Sequence, residues 1–206
     1  TISHYKILEK LGEGGMGVVY KAEDIKLHRL GALKVFPRQA LIAEEDKTRF
    51  AREAQAAASL SHPNIAMIHE YDEVEGQAFI AMEFVDGEAL KKKIQERPLP
   101  INEAVNIAIA VAEGLGKAHE KGITHRDIKS DNVMISRNAA VKIMDFGLAE
   151  IAGRTRVTKE GMTVGTVAYM SPQQALGEKL NQRTDIWSLG VVLYKMITGR
   201  LPFPGD

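Results

Sequence analysis

One short polar stretch holds most of the residues that could do chemistry. It reads His125-Arg126-Asp127-Ile128-Lys129-Ser130-Asp131-Asn132 and is the densest polar run in the chain. Asp127 can accept a proton, and Lys129 places a positive charge two residues away. A short hairpin would return the oxygens of Asn132 and Asp145 to one place, as a hard divalent cation requires. A solvated polar turn would explain any one of these residues, but it explains the whole set poorly.

A glycine-rich segment near the start of the chain could bind phosphate. Residues 12–19 read Gly-Glu-Gly-Gly-Met-Gly-Val-Val and fit the pattern G-x-G-x-x-G-x-V. The missing side chains let backbone N–H groups close over phosphate oxygens. The same glycines could open a dinucleotide-binding helix, but the β-branched run that follows favours a strand. A glycine-rich hairpin without a ligand is the other alternative.

A lysine and a glutamate form the third candidate set. Lys34 lies between Leu33 and Val35 in a strand-like run, where a charge that points inward needs a partner. Glu53 follows on a predicted helix and could supply that partner. A surface lysine beside a solvated glutamate is the plain alternative, because exposed ion pairs contribute only ~0–1 kcal/mol. The order of glycine loop, strand lysine and helical acid favours the functional pair.

The elements that position these residues divide into a β-rich half and an α-rich half. In the first half the patterns predict three antiparallel strands over 5–36, a helix over 44–60 and strands over 65–71 and 78–85. In the second half they predict helices over 88–96, 101–121 and 183–198 and short strands over 132–135 and 141–144. A boundary near residues 83–87 gives domains 1–85 and 86–206. The predicted fold class is α+β.

Two of the predicted helices differ in how they distribute apolar residues. The helix over 101–121 has steps of three and four, and its apolar face comprises Ile101, Val105, Ala108, Ile109, Ala112, Leu115 and His119. The helix over 183–198 is apolar on nearly its whole surface, and such a helix must be buried. We expect this 206-residue chain to cover it in part by self-association or domain exchange.

Composition narrows the possible partners. The chain has 27 Lys+Arg and 27 Asp+Glu, which gives no electrostatic reason to expect nucleic acid or an anionic membrane. It has no cysteine, which excludes disulfides and thiolate metal sites and fits a reducing, cytoplasmic compartment. No apolar run approaches the ~20 residues of a membrane helix. The chain starts at Thr1 without a signal-peptide pattern, as an excised segment would, so a parent protein could carry an anchor elsewhere.

Together the motifs resemble the eukaryotic-type protein kinase family. The resemblance is carried by the glycine loop, Ala32-Leu33-Lys34, Glu53, His125-Arg126-Asp127, Asn132, Asp145-Phe146-Gly147, Gly165-Thr166, Ser171-Pro172 and the run Asp185 to Gly190. The glycine loop and the runs 82–87 and 169–172 are most similar to the bacterial serine/threonine branch. The resemblance implies a two-lobed fold with an antiparallel-sheet N-lobe over 1–85. Its mainly helical C-lobe over 86–206 is expected to lack the family's last helices.

The resemblance implies a phosphotransferase that moves the γ-phosphate of ATP onto a serine or threonine hydroxyl of a protein substrate. Asp127 is implied to orient that hydroxyl and take its proton, and Lys129 to offset charge on the γ-phosphate. Lys34, held by Glu53, is implied to grip the α- and β-phosphates. The implied metal is magnesium, with manganese as an alternative, and its ligands are Asn132 and Asp145.

The implied nucleotide site combines the glycine loop with apolar residues around the adenine ring. Its members are Leu11, Gly12, Gly14, Gly15, Gly17, Val19, Ala32, Lys34, Glu83, Val85 and Met134. The carbonyl of Glu83 and the backbone of Val85 are implied to bond the adenine edge.

Regulation is expected in the loop between Gly147 and Ser171. The implied autophosphorylation sites are Thr163 first, then Thr158 and Thr155, whereas Thr166 is implied to contact the catalytic aspartate. A phosphate there adds a charge of about −1.5 to −2 and could pair with Arg126.

Two functions stay open at this point. An active kinase needs Lys34, Asp127 and Asp145, and all three are present. A truncated kinase-like scaffold or binding module with little activity is the alternative, because the chain stops at Asp206 before the further helices that are typical of the family.

Overall fold

The structure is a computed structural model that describes residues 1–14, 17–38, 44–146 and 167–203. Its backbone divides into two units. The first comprises Thr1–Ser61 and Ala66–Val85, and the second comprises His62–Ile65 and Asp86–Asp206. The segment His62–Ile65 therefore belongs to the second unit, although both of its chain neighbours belong to the first.

The first unit is an antiparallel five-stranded sheet with one helix. The strands are β1 Tyr5–Gly14, β2 Gly17–Asp24, β3 Arg29–Val35, β4 Ile68–Val74 and β5 Gln77–Glu83, and the helix is α1 Glu44–Ala58. The strand order is β1-β2-β3-β5-β4, which places β3 at the centre. Five successive residues of β3, from Gly31 to Val35, are buried because the strand has neighbours on both sides.

Aromatic contacts hold this unit together. The core on one face of the sheet comprises Tyr5, Ala22, Leu33, Val35, Phe79 and Ala81. Tyr5 and Phe79 meet edge-on, with ring centroids 5.9 Å apart. Helix α1 is anchored by Phe50, whose ring lies 5.1 Å from Phe36 and 6.2 Å from Tyr71. These contacts fix α1 beside the end of β3.

The second unit is mainly helical. Its helices are α2 Leu90–Glu96, α3 Ile101–Glu120, α4 Pro172–Ala175 and α5 Arg183–Thr198, and its strands are β6 Gly87–Ala89, β7 Val133–Ser136 and β8 Val141–Ile143. Helix α3 packs against α5 and against β8. Asn64 ties the short segment 62–65 to β8, because its carbonyl accepts from Ile143 N at 2.8 Å and its amide donates to Val141 O at 2.9 Å.

The predicted fold class and element order are confirmed, with two differences in the strands. β4 begins at Ile68 rather than Ile65, because Ile65 forms an isolated parallel bridge with Ile143 of the second unit. The sequence patterns do not predict β6, whose Gly87 lies opposite Ser136 of β7. A Cβ at Gly87 would lie 2.0 Å from Ile135 O, so this pairing requires glycine.

Helix α3 buries a different face from the predicted one. The buried residues are Ala104, Ile107, Val111, Gly114, Leu115 and Ala118. Of the predicted face only Leu115 is among them, and Ile101 is 64% exposed and Ile109 51% exposed. Both faces carry large apolar side chains, and the buried face also includes the small residues Ala104, Gly114 and Ala118. A Cβ at Gly114 would already lie 2.9 Å from Ile143 Cδ1, so small size here permits close packing.

Helix α5 begins and ends at the predicted residues but is buried on one side only. Its buried residues are Thr184, Asp185, Ser188, Val191, Val192 and Met196. Ile186 and Tyr194 on the opposite side are 62% and 47% exposed. The expectation that the whole helix is buried is therefore not met within the described residues. None of the helices in the described ranges combines the length and the apolar character needed to cross a membrane.

Candidate active site

Lys34 and Glu53, the predicted ion pair, both lie near the contact between Phe36 and Phe50 in the first unit. Lys34 is in β3 opposite Val19, and only 4% of its surface is exposed. Its Nζ lies 5.9 Å from the centroid of the Phe36 ring. Glu53 is half-buried on α1, one turn after Phe50, and the Phe50 ring packs on Phe36. Both residues thus lie near the Phe36–Phe50 contact, and their ion pair stays a prediction.

The fold requires glycine at one position of the β1–β2 hairpin but not at two others. Gly17 has φ +116, and a Cβ there would lie 2.0 Å from Val35 O, so the fold itself requires glycine. A Cβ on Gly12 or Gly14 would meet no atom of the described residues within 4 Å. Open space therefore adjoins these two glycines, as a ligand that approaches the backbone would need. Gly15 lies outside the described residues.

The other predicted nucleotide-binding residues of this unit are distributed along the sheet. Leu11 lies on β1, Val19 on β2, Ala32 on β3, Glu83 at the end of β5 and Val85 two residues beyond it. Glu83 N donates to Met67 O at 2.8 Å. The backbone N–H and C=O of Val85 form no hydrogen bond with any other described residue. Val85 therefore has the free donor and acceptor that an adenine edge would need.

In the second unit, the structure brings the predicted base together with its neighbours. Asp127 Oδ2 accepts from Lys129 Nζ at 2.7 Å and from Asn132 Nδ2 at 3.1 Å. The Asn132 amide also donates to Asp127 O at 2.8 Å. The side chains of Lys129 and Asp127 are only 13% and 11% exposed. Asp127 Oδ1 accepts no hydrogen bond from the described residues, so it is the oxygen that could receive a substrate proton.

The hairpin of β7 and β8 positions the two predicted metal ligands. Val133 lies opposite Ile143, and Met144 N donates to Asn132 O at 2.8 Å, so Asp145 directly follows the residue paired with Asn132. Asp145 has φ +59, which turns the chain sharply there.

Both side chains fit a magnesium ion. Since the Asn132 nitrogen makes both hydrogen bonds to Asp127, its amide oxygen is left as a ligand atom. Asp145 supplies a carboxylate close by in the chain. Magnesium is usually held by one or two such side chains together with substrate phosphates and waters. The described ranges contain no group of three or more acidic, histidine or cysteine side chains that could hold a metal alone.

Met134, the predicted adenine contact of this unit, is half-buried on β7.

A buried histidine links the predicted catalytic loop, residues 125–132, to the segment before Asp145. Asp127 N donates to His125 Nδ1 at 3.2 Å, and His125 Nε2 lies 2.8 Å from Met144 O. Because Nδ1 accepts, the proton of the neutral ring is on Nε2 and is donated to the carbonyl. The ring also meets Phe146 edge-on at 4.7 Å. His125 thus holds the backbones of both segments in place.

The sequence reasoning missed the role of Asp185, which anchors the same loop from α5. Asp185 is fully buried and accepts from His125 N and Arg126 N, both at 2.8 Å. Its Oδ2 also lies 2.8 Å from His119 Nε2. The sequence did offer one signal for this role, an acidic residue within an apolar helix, because a buried carboxylate needs hydrogen-bond donors. These bonds hold Arg126 at φ +67.

The loop is also fixed from α4. Ser171 and Gln174 form a capping box, and Gln174 Nε2 donates to Arg126 O at 2.7 Å. The predicted regulatory residues Thr155, Thr158, Thr163 and Thr166 lie outside the described residues. A small pocket of about 10 Å³ beside the loop is lined by Arg126, Asp127, Tyr169, Met170, Gln174 and Ser188.

Known proteins share both the sequence and the fold. Residues 5–206 match the protein kinase domain family. The chain is 42% identical over 204 residues to the probable serine/threonine-protein kinase PknB of Lactococcus lactis, covering 98% of this chain and 32% of that protein. It is 41% identical over 203 residues to the serine/threonine-protein kinase PrkC of Bacillus subtilis, covering 98% and 31%. The chain spans about a third of the length of these curated relatives.

A crystal structure of the PknI kinase domain of Mycobacterium tuberculosis superposes with a TM-score of 0.81 at 29% identity, covering 98% of this chain and 76% of that one. The predicted resemblance to the bacterial serine/threonine kinases is therefore confirmed. By sequence and by fold, the chain belongs to the protein kinase domain family.

Proposed function

We propose that this chain is an ATP-dependent serine/threonine protein kinase domain that transfers the γ-phosphate to a protein hydroxyl. The observation that carries the proposal is the Asp127 carboxylate, held on one oxygen by Lys129 at 2.7 Å and Asn132 at 3.1 Å. Phosphoryl transfer depends on positioning and electrostatics, so a fixed carboxylate beside an ammonium suits it.

Each residue of the catalytic loop has a distinct task in this proposal. Asp127 Oδ1 accepts the hydrogen of the acceptor hydroxyl and orients its oxygen towards the γ-phosphate. Lys129 keeps Asp127 in place and offsets charge that develops on the transferred group. Asn132 and Asp145 hold magnesium, or manganese in its place, which neutralises phosphate charge when bound.

The first unit supplies the nucleotide contacts. Lys34, positioned by Glu53, binds the α- and β-phosphates, and the glycine loop covers them with its backbone. Val85 contributes its backbone N–H and C=O to the adenine edge, and Glu83 contributes its carbonyl. Leu11, Val19, Ala32 and Met134 are the proposed apolar contacts of the ring. We propose a cytoplasmic location for this segment, whose parent protein could carry a membrane anchor elsewhere.

Regulation by autophosphorylation belongs to the same proposal. Thr163, then Thr158 and Thr155, are the proposed sites, and Arg126 is their proposed partner. The Arg126 backbone is held by Asp185 and Gln174, so a phosphate that pairs with its guanidinium would act directly on the residue before Asp127. Mass spectrometry after incubation with ATP tests this assignment. Phosphate found only outside residues 155–163 in an active sample would contradict it.

Self-association through α5 is the proposed partner interaction besides the protein substrate. The exposed side of α5 borders a groove of about 560 Å³, lined by Arg183, Ile186, Trp187, Gly190, Val191, Tyr194, Pro202 and Phe203. Trp187 stacks on Phe203 at 5.8 Å, which gives the groove a flat aromatic wall. A contiguous apolar surface of this kind favours association.

The decisive experiment is transfer of labelled phosphate from ATP with magnesium to a generic protein acceptor. We expect the parent chain to label the acceptor and Asp127→Asn to abolish labelling while ATP binding stays nearly intact. Asp86→Asn is the matched control, since this exposed carboxylate pairs only with Arg137 among the described residues. It should label at the parent rate.

Two results would decide against this function. A folded Asp127→Asn protein that transfers phosphate at the parent rate would show that the role of Asp127 is wrong. A parent chain that binds ATP but labels no acceptor would favour the kinase-like scaffold.

A further inference from the structure

Among the described residues, a lysine beside the catalytic loop donates hydrogen bonds to hydroxyl groups only. Lys195 of α5 donates from Nζ to Tyr169 OH at 2.9 Å and to Ser130 Oγ at 3.2 Å. The two hydroxyls are themselves 2.8 Å apart. Ser130 is fully buried and Tyr169 is 4% exposed, whereas Lys195 is half-buried. The three groups form a closed triangle of hydrogen bonds around one positive charge.

The charge of Lys195 is not balanced within the described residues. The neighbouring lysines of this region each have a carboxylate, because Lys91 pairs with Asp131 and Lys129 with Asp127, both at 2.7 Å. No carboxylate of the described residues lies within ion-pair distance of Lys195 Nζ, whose third hydrogen has no acceptor there. A partly desolvated ammonium with neutral partners gains from an anionic ligand.

The triangle is adjacent to the proposed base. Ser130 is three residues after Asp127, and Tyr169 lines the same small pocket as Asp127. An acceptor peptide whose hydroxyl reaches Asp127 therefore comes close to Tyr169. Since an extended peptide advances ~3.3–3.6 Å per residue, side chains within a few positions of the acceptor can reach Lys195.

We infer that Lys195, supported by Tyr169 and Ser130, binds a carboxylate side chain of the acceptor peptide and makes the domain prefer acidic residues near the phosphorylated hydroxyl. The inference rests on the proposed kinase function. The carboxylate supplies a counter-ion that the described residues do not provide, and it accepts the third hydrogen of the ammonium. A basic side chain at the same position would be repelled and left without a partner.

The test uses peptides with one serine in a neutral background. A single glutamate is moved from four positions before the serine to four positions after it, and each peptide is compared with its glutamine counterpart by kcat/KM. At one or two positions we expect glutamate to be favoured about fivefold, which corresponds to a partly exposed ion pair. The ratio should fall to about one in Lys195→Met.

Charge reversal separates recognition from a structural role. In Lys195→Glu we expect the same positions to favour arginine over glutamine, which loss of structure alone cannot produce. Lys117→Met is the matched control, because this exposed lysine of α3 pairs with Glu120 and should leave the ratio unchanged.

Each outcome of the peptide series has a defined meaning. A parent ratio near one at every position, or an unchanged ratio in Lys195→Met, would overturn the inference. Equal losses on glutamate and glutamine peptides in both Lys195 variants would show a purely structural role. If the parent phosphorylates no peptide and no protein, the kinase function itself fails, and the inference falls with it.

Discussion

At the residue scale, two glycines of one loop are expected to respond differently to the same change. Gly17→Ala must relieve a Cβ placed 2.0 Å from Val35 O at φ +116, so we expect the free energy of unfolding to fall by about 1–3 kcal/mol. Gly12→Ala meets no atom of the described part of the chain within 4 Å and should change stability by less than about 1 kcal/mol.

The two variants should also separate stability from nucleotide binding. We expect Gly12→Ala to weaken ATP binding, since its methyl group enters the space proposed for the phosphates. Urea denaturation and ATP titration of both variants measure the two effects. Equal loss of stability in both, or full ATP affinity in Gly12→Ala, would contradict the assignment.

A second residue-scale prediction concerns acid sensitivity. Burial lowers the pKa of His69, and Arg29 lowers it further, which outweighs the carboxylates of Glu83 and Asp24. As the pH falls, His69 therefore becomes protonated at a higher pH in the unfolded chain, near the ordinary histidine pKa of about 6.5, than in the folded protein. Its contribution to stability is complete above that pH and declines as the pH falls from about 6.5 towards the lower folded value.

Replacement of the ring tests this linkage. His69→Gln should reduce the loss of stability between pH 7.5 and pH 5.5, measured by urea denaturation at several pH values. His28→Asn is the control, because His28 is exposed in the β2–β3 turn. If His69→Gln retained the parent pH dependence in full, other groups would account for it.

At the element scale, α5 holds the catalytic loop through one carboxylate. In the parent protein the backbone N–H groups of His125 and Arg126 each donate to a different oxygen of Asp185. Asp185→Asn keeps the shape of the side chain but offers these two donors only one oxygen. We expect the free energy of unfolding to fall by about 1–3 kcal/mol and kcat to fall more than ATP affinity. Denaturation, kinetics and ATP titration measure these quantities, with Asp86→Asn as the control. Parent kcat in a folded Asp185→Asn protein would show that the loop does not depend on α5.

The elements themselves were largely predictable from local patterns. Helix α5 has its predicted bounds, and the order of strands and helices follows from alternation, helix formers and the proline at position 63. The buried face of α3 was not predictable by counting large apolar residues, because both faces carry them and Gly114 makes a close contact with Ile143. Likewise β6 depends on pairing with a strand far along the chain.

The candidate site was predictable in its residue types but not in its supports. Residue types and spacing indicated Asp127, Lys129 and Asn132, the resemblance then assigned their roles, and the structure brings them together. The anchors Asp185 and Gln174 lie 48 to 60 positions from their partners, so no local spacing indicates them. Tertiary packing alone creates such contacts.

At the scale of the whole molecule, the exposed side of α5 predicts association. Light scattering at tens of micromolar should show a dimer or larger species, and Ile186→Glu should shift it towards monomer. Leu27→Glu is the matched control, because Leu27 is 63% exposed in the first unit, similar to the 62% of Ile186. A stable, non-aggregating parent monomer would refute self-association.

The placement of His62–Ile65 in the second unit also limits how this domain can be recombined. A chimera that joins residues 1–85 of one relative to residues 86–206 of another would give β8 a foreign Asn64 segment to bond. Neither unit is one continuous stretch of chain, so a single crossover cannot exchange them cleanly. We expect chimeras that also transfer residues 62–65 with the second unit to fold better than single-crossover chimeras. Evolution by exchange of half-domains is correspondingly constrained.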